Sequence, residues 1–190
     1  MKLGDAVQAS SGSPQFRIKE VFDKEAPVYT YYSQSDLLDD LIGIESSNKE
    51  NKQIRTHDKV LTLKKDDILF SLVSGTATIV SKEHEGYLYT QNYVKLTLND
   101  DIDPRFLVFI INESKDIKKQ FATGLQGSQV LKYTIKQLID IQLPEMPLIE
   151  KQKIIGQVYF KQLRLTALTN RVAELQKNKI INQLEEVSKK

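Results

Sequence analysis

The chain has 190 residues, of which 40% are hydrophobic and 27% charged, enough to bury one core with an appendage. The absence of cysteine excludes a disulfide framework, Cys-ligated zinc, iron-sulfur clusters and thiol catalysis. The net charge of +2 hides an asymmetry: residues 148–190 carry nine Lys and Arg against four Glu, so the other 147 residues carry 18 basic and 21 acidic groups. A mildly acidic body is a poor general binder of phosphate, because such affinity comes from many neutralised phosphates and their released counterions.

The start, Met1-Lys2-Leu3-Gly4-Asp5, lacks the apolar core of a signal peptide, and no window approaches 18 apolar residues, so a cytoplasmic protein without membrane insertion is expected. Ala9 to Pro14 reads as a turn-rich loop after a short initial element. Asp36 to Gly43 reads as a short helix closed by glycine, and 46–51 as a polar loop. Four short runs are strand-like: Val60–Leu63, Ile68–Val73, Thr76–Val80 and Tyr93–Leu98. Turn signals at 64–67, Ser74-Gly75 and Glu85-Gly86 divide them.

After Asp103-Pro104 the apolar period becomes helical through Phe106, Leu107, Phe109, Ile110 and Ile111, with Ile117, Gln120 and Phe121 as a continuation on the same side. Residues 123–128 then form an exposed loop, Thr134–Leu138 a capped helical turn and Ile141–Leu143 a last strand. From Pro147 a helix of about 40 residues, roughly 60 Å long, exceeds the width of the body, so half of it must project or pair. Leu165, Leu168, Val172 and Leu175 follow the rhythm of a coiled-coil seam, which Ile180 and Leu184 continue one residue later. Ile154, Ile155, Val158 and Tyr159 are candidates for packing onto the chain's own body.

Catalytic chemistry finds no support. His57 and His84 lack neighbours at metal-ligand spacing, so no metal site is expected. The pairs Asp39-Asp40, Asp66-Asp67 and Asp100-Asp101 sit at turns or helix ends, where aspartate makes local hydrogen bonds. Neither glycine-rich phosphate fingerprint occurs, and no cofactor is expected. What remains is a binding vocabulary. Tyr31, Tyr32, Ser33 and Gln34, then Lys82 and His84 followed by Tyr89, Gln91 and Asn92, then Gly127, Ser128, Gln129 and Lys132 combine aromatic, hydroxyl, amide and basic groups suited to phosphate and base edges.

The order of motifs resembles one half of the specificity (S) subunit of type I restriction-modification systems. Lys2-Leu3-Gly4-Asp5 with Ser11-Gly12 is similar to that family's opening, and Asp66-Asp67-Ile68-Leu69-Phe70-Ser71 before Gly75 to its Gly-Asp-Ile-Leu segment. Tyr89-Thr90-Gln91-Asn92, Ile102-Asp103-Pro104-Arg105-Phe106-Leu107 and Gly127-Ser128 with Leu143-Pro144 follow in the family's order, then Pro147-Leu148-Ile149-Glu150 with Ile154. Asp66 stands where the family has glycine, Met146 where it has the first of two prolines, and Lys151 where it has glutamine.

The resemblance implies an α+β fold: a mixed β-sheet target-recognition domain over 1–146 and a conserved long helix over 147–190 that forms an antiparallel coiled coil with a second copy. It implies a non-catalytic reader of double-stranded DNA, each copy taking half of a bipartite site within a DNA adenine methyltransferase and site-specific deoxyribonuclease complex. Its partners would be methyltransferase subunits, a restriction translocase and a twin of this chain. The dimer seam would be Leu165, Leu168, Val172, Leu175, Ile180 and Leu184. The competing expectation is a decoy that binds methyltransferase subunits without reading DNA.

Overall fold

A computed structural model describes residues 1–46, 50–99, 102–124 and 132–189. A one-turn helix α1 (Leu3–Ala6) leads directly into strand β1 (Val7–Ser11). The first half of the stretch expected as a loop, Ala9 to Ser11, is therefore edge strand. Its small residues carry no strand signal of their own, and pairing with strand β6 (Tyr93–Leu98), Ala9 opposite Leu96, holds them extended.

With β4 (Ile68–Ser71) and β5 (Ala77–Ile79) these strands form an antiparallel sheet of order β1-β6-β4-β5. A small antiparallel pair joins β2 (Val28–Thr30) to β3 (Gln53–Arg55), two strands of three residues each and too short to show in the sequence. Val60–Leu63 forms no named strand and joins the fold through the bridge Thr62 to Leu88, backbone bonds of Leu61 and Leu63 to Tyr89 and Tyr87, and the buried Leu63.

All four residues of β4 are buried, and their alternation divides two cores. Ile68 and Phe70, opposite Leu96 and Val94, enter the main core with the helices, whereas Leu69 packs on the other face with Tyr32, Leu37, Leu63, Val80, Tyr89 and Tyr93. The turn before β4 carries Asp66 at φ 67, a left-handed conformation that explains why glycine suits this position.

Helix α2 (Gln34–Ile42) is capped by Ser33, whose hydroxyl accepts from Asp36 N–H while the Asp36 carboxylate accepts from Ser33 N–H, and it ends at Gly43 with φ 66. Helix α3 (Pro104–Glu113) starts on Asp103, which accepts from Phe106 N–H at 3.0 Å. The expected continuation is instead a separate helix, α4 (Lys115–Gly124). Ser114 stands between them with ψ 121, closing α3 and offering its hydroxyl to Ile117 N–H as the cap of α4. A short α5 (Ile135–Ile139) is capped by Thr134, as its sequence predicts.

The last element, α6 (Ile149–Ser188), spans 40 residues. Its first turns pack across α3 and reach α2. The buried Gln152 accepts from Asp103 N–H at 3.0 Å and donates to Pro147 O at 2.8 Å, tying the start of α3 to the start of α6. Ile155, Tyr159, Phe160 and Leu163 cover the main core, while Ile154 and Val158 point to solvent, so body packing takes only part of the expected set. From Arg164 to Lys189 every residue is exposed except the half-buried Ala167.

Candidate nucleic-acid interface

The residues expected to touch DNA fall into buried and exposed sets. Tyr31 lies in a small cluster with Ile54 and Leu88, and Tyr89 is sealed in the second core. Tyr32 is also buried and donates its phenol to Asp40 at 2.6 Å. Burial, reinforced by the charge of Asp40, pushes that phenol far up from its usual range, so it stays a donor. Gln34 donates to Ser71 Oγ at 2.8 Å and to Tyr93 Oη at 3.0 Å, and Ser33 is committed to the cap of α2.

His84, a candidate DNA contact and a solvated or hydrogen-bonding group by its sequence, is 3% exposed and hydrogen-bonded. Its Nδ1 lies 2.7 Å from Asp40 and its Nε2 3.2 Å from Asp36, with Tyr32 and Tyr87 edge-on to the ring. Two carboxylates one turn apart on α2 thus bracket one imidazole, and both ring nitrogens must donate to serve them. Burial alone would lower its pKa, but hydrogen bonds and charge from Asp36 and Asp40 outweigh that and raise it to about 9. Asp36 also accepts from Asn51 Nδ2 at 2.7 Å, so the cluster fastens α2 to the turn over 81–87 and to the chain entering β3. The i,i+4 spacing of Asp36 and Asp40 was legible, but their partner 44 residues away was not.

A second group remains available. Gln91 and Lys82 are exposed, and neither side chain makes a bond among the described residues. Half-buried Asn92 accepts from Lys132 Nζ at 2.7 Å. The two groups are joined through the sheet: Tyr93 meets Gln34, and Leu72, beside Ser71, donates its N–H to Asn92 O. Gly127, Ser128 and Gln129 lie outside the described residues.

A cavity of about 550 Å³ opens beside the His84 cluster, lined by Thr30, Glu45, Ser46, Gln53 and Glu83 among others. Its carboxylates disfavour phosphate but can accept from exocyclic amino groups of bases. Among the described residues no group of three or more His, Cys, Asp or Glu is placed to hold a metal ion. No helix there is long and apolar enough to cross a membrane. The projecting part of α6 exposes Leu165, Leu168, Val172, Leu175, Ile180 and Leu184, each 43 to 64% accessible.

No protein with a curated description matches the sequence. The fold, by contrast, is that of known specificity subunits. The crystal structure of the HsdS subunit from Thermoanaerobacter tengcongensis superposes with a TM-score of 0.57 at 14% identity, over 91% of this chain and 39% of the other. A structure reported for complex assembly and conformational transition of the type I R-M system matches with a TM-score of 0.62 at 14% identity, over 97% of this chain and 43% of the other. The chain therefore spans about two fifths of the length of these solved structures. Both the shared fold and the match of residues 1–186 to the type I restriction modification DNA specificity domain lead to one assignment: the chain belongs to that family.

Proposed function

We propose that this chain is a non-catalytic specificity subunit that reads one half of a bipartite site in double-stranded DNA. Two copies join antiparallel through α6, and the same helix docks methyltransferase subunits of a DNA adenine methyltransferase and site-specific deoxyribonuclease complex, to which a restriction translocase also binds. The observation that carries this reading is α6 itself. Its first turns are anchored on the body, while a helix segment of roughly 38 Å beyond them offers an apolar stripe that none of the described residues covers.

The reading surface centres on Gln91, Asn92, Lys82 and Lys132, together with Gly127, Ser128 and Gln129. Tyr31, Tyr32, Ser33, Gln34, His84 and Tyr89 act beneath it by fixing the backbone that presents it. Amide side chains read adenine bidentately, and a lysine beside them neutralises phosphate. Replacing Gln91 and Asn92 by alanine should change which sequence is methylated in a host that also carries the methyltransferase, while dimerisation persists. An unchanged methylation pattern would remove these residues from the reading surface. Methylation that needs the chain but shows no sequence preference would leave only the decoy role.

A further inference from the structure

At the joint between body and helix three cations converge. Arg105 in the first turn of α3 and Lys161 and Arg164 on α6 line, with Gln157, a notch of about 270 Å³. Leu41, Ile42 and Phe160 also line it, and Gly43 stands at its edge. All three cations are exposed, and among the described residues none makes an ion pair or side-chain hydrogen bond. Elsewhere, Lys2, Lys95, Lys118 and Lys177 each have a carboxylate partner.

The sequence around the notch sharpens the contrast. From Lys151 to Ala173 the helix carries five cations and no carboxylate. The C-terminal end of α2 faces Arg164, whose Nη1 would lie 3.8 Å from a Cβ at Gly43. A helix end carries only about half a negative charge, far less than three cations require.

We propose that this notch binds phosphate of the DNA backbone, independently of sequence. This rests on the DNA-reading function proposed above. Every polar group at the notch that comes from Arg105, Lys161 and Arg164 is a donor, Arg forks match phosphate oxygens bidentately, and Lys supplies a point charge. A chain whose body is acidic overall must collect its phosphate contacts locally, and these three cations, unpaired among the described residues, form such a cluster.

The test is fluorescence anisotropy of the full chain on a random-sequence duplex between about 50 and 200 mM salt. The triple variant Arg105→Gln, Lys161→Gln, Arg164→Gln should bind about tenfold more weakly at the low end and with a salt slope shallower by about one to two, whereas Lys118→Gln should match the unmodified chain. Equal affinity and slope in the triple variant would overturn the proposal, as would failure of the unmodified chain to bind at about 50 mM salt. Competition by poly-glutamate as effective as by duplex would overturn it in favour of an acidic protein face. Site-selective methylation is scored separately: its persistence with an indifferent notch leaves the reading function standing, and its absence with a responsive notch removes that function alone.

Discussion

At His84 a single side chain decides how several segments are held. Its imidazolium satisfies Asp36 and Asp40, which also serve Asn51 and Tyr32, so one proton on the ring secures α2, the 81–87 turn and the approach to β3. Because the folded pKa of about 9 lies above the ordinary 6.5, the stabilisation is complete below about pH 6.5 and is lost as pH rises through 9. Thermal denaturation across pH 6 to 10 should show this decline, worth roughly 3 kcal/mol in all. His84→Gln should flatten that alkaline limb and lower stability by about 3 kcal/mol or more at neutral pH, since it removes the imidazolium that two buried carboxylates share. A histidine flanked by Lys82, Glu83 and Glu85 looks like a surface group in the sequence. Only contact with α2 turns it inward, and the same contact removes Tyr32 from the candidate contacts.

Among the elements, the α3 to α6 crossing governs where the long helix departs. A Cβ on Gly156 would lie 2.6 Å from Arg105 Cβ and 2.7 Å from Phe106 N, so the helices approach as closely as a missing side chain permits. Gly156→Ala gains about 1 kcal/mol of helix propensity but forces α3 and α6 apart, and a net loss of about 1 to 2 kcal/mol in thermal or urea unfolding is expected. Farther along, Leu168→Glu with Val172→Glu puts charge on a stripe that is exposed among the described residues. Sedimentation should then show monomers with unchanged stability of the body, whereas a monomeric unmodified chain would remove the pairing itself. The helix starts at Asp103 and Thr134 were legible because each cap is local. The break at Ser114 was not, since a serine in a continuing apolar rhythm is outvoted by its neighbours until tertiary packing bends the chain there.

Over the whole molecule, under the proposed function, a reader anchored to one end of a rod would convert helix length into distance along DNA. If two copies join antiparallel about a two-fold axis, their reading surfaces are identical and oppositely directed. Methylome sequencing should therefore find an inverted repeat interrupted by a gap of constant length, and two unlike half-sites would exclude the symmetric pair. The charge asymmetry belongs to this scale as well: the excess of positive charge lies on the rod and its joint, and the acidic surplus on the body holds, among others, Asp36 and Asp40 that are spent internally on His84.

By itself the sequence determined the long helix, its apolar rhythm, the capped helix starts, the central strands and the order of motifs that marks the family, because each depends on residues near one another in the chain. Tertiary structure alone decided which candidate contacts are buried, where α3 ends, that Ala9 to Ser11 is a strand and that three cations meet at the joint. Those outcomes depend on which distant segments share a surface, and burial and unpaired charge exist only once the surface has formed.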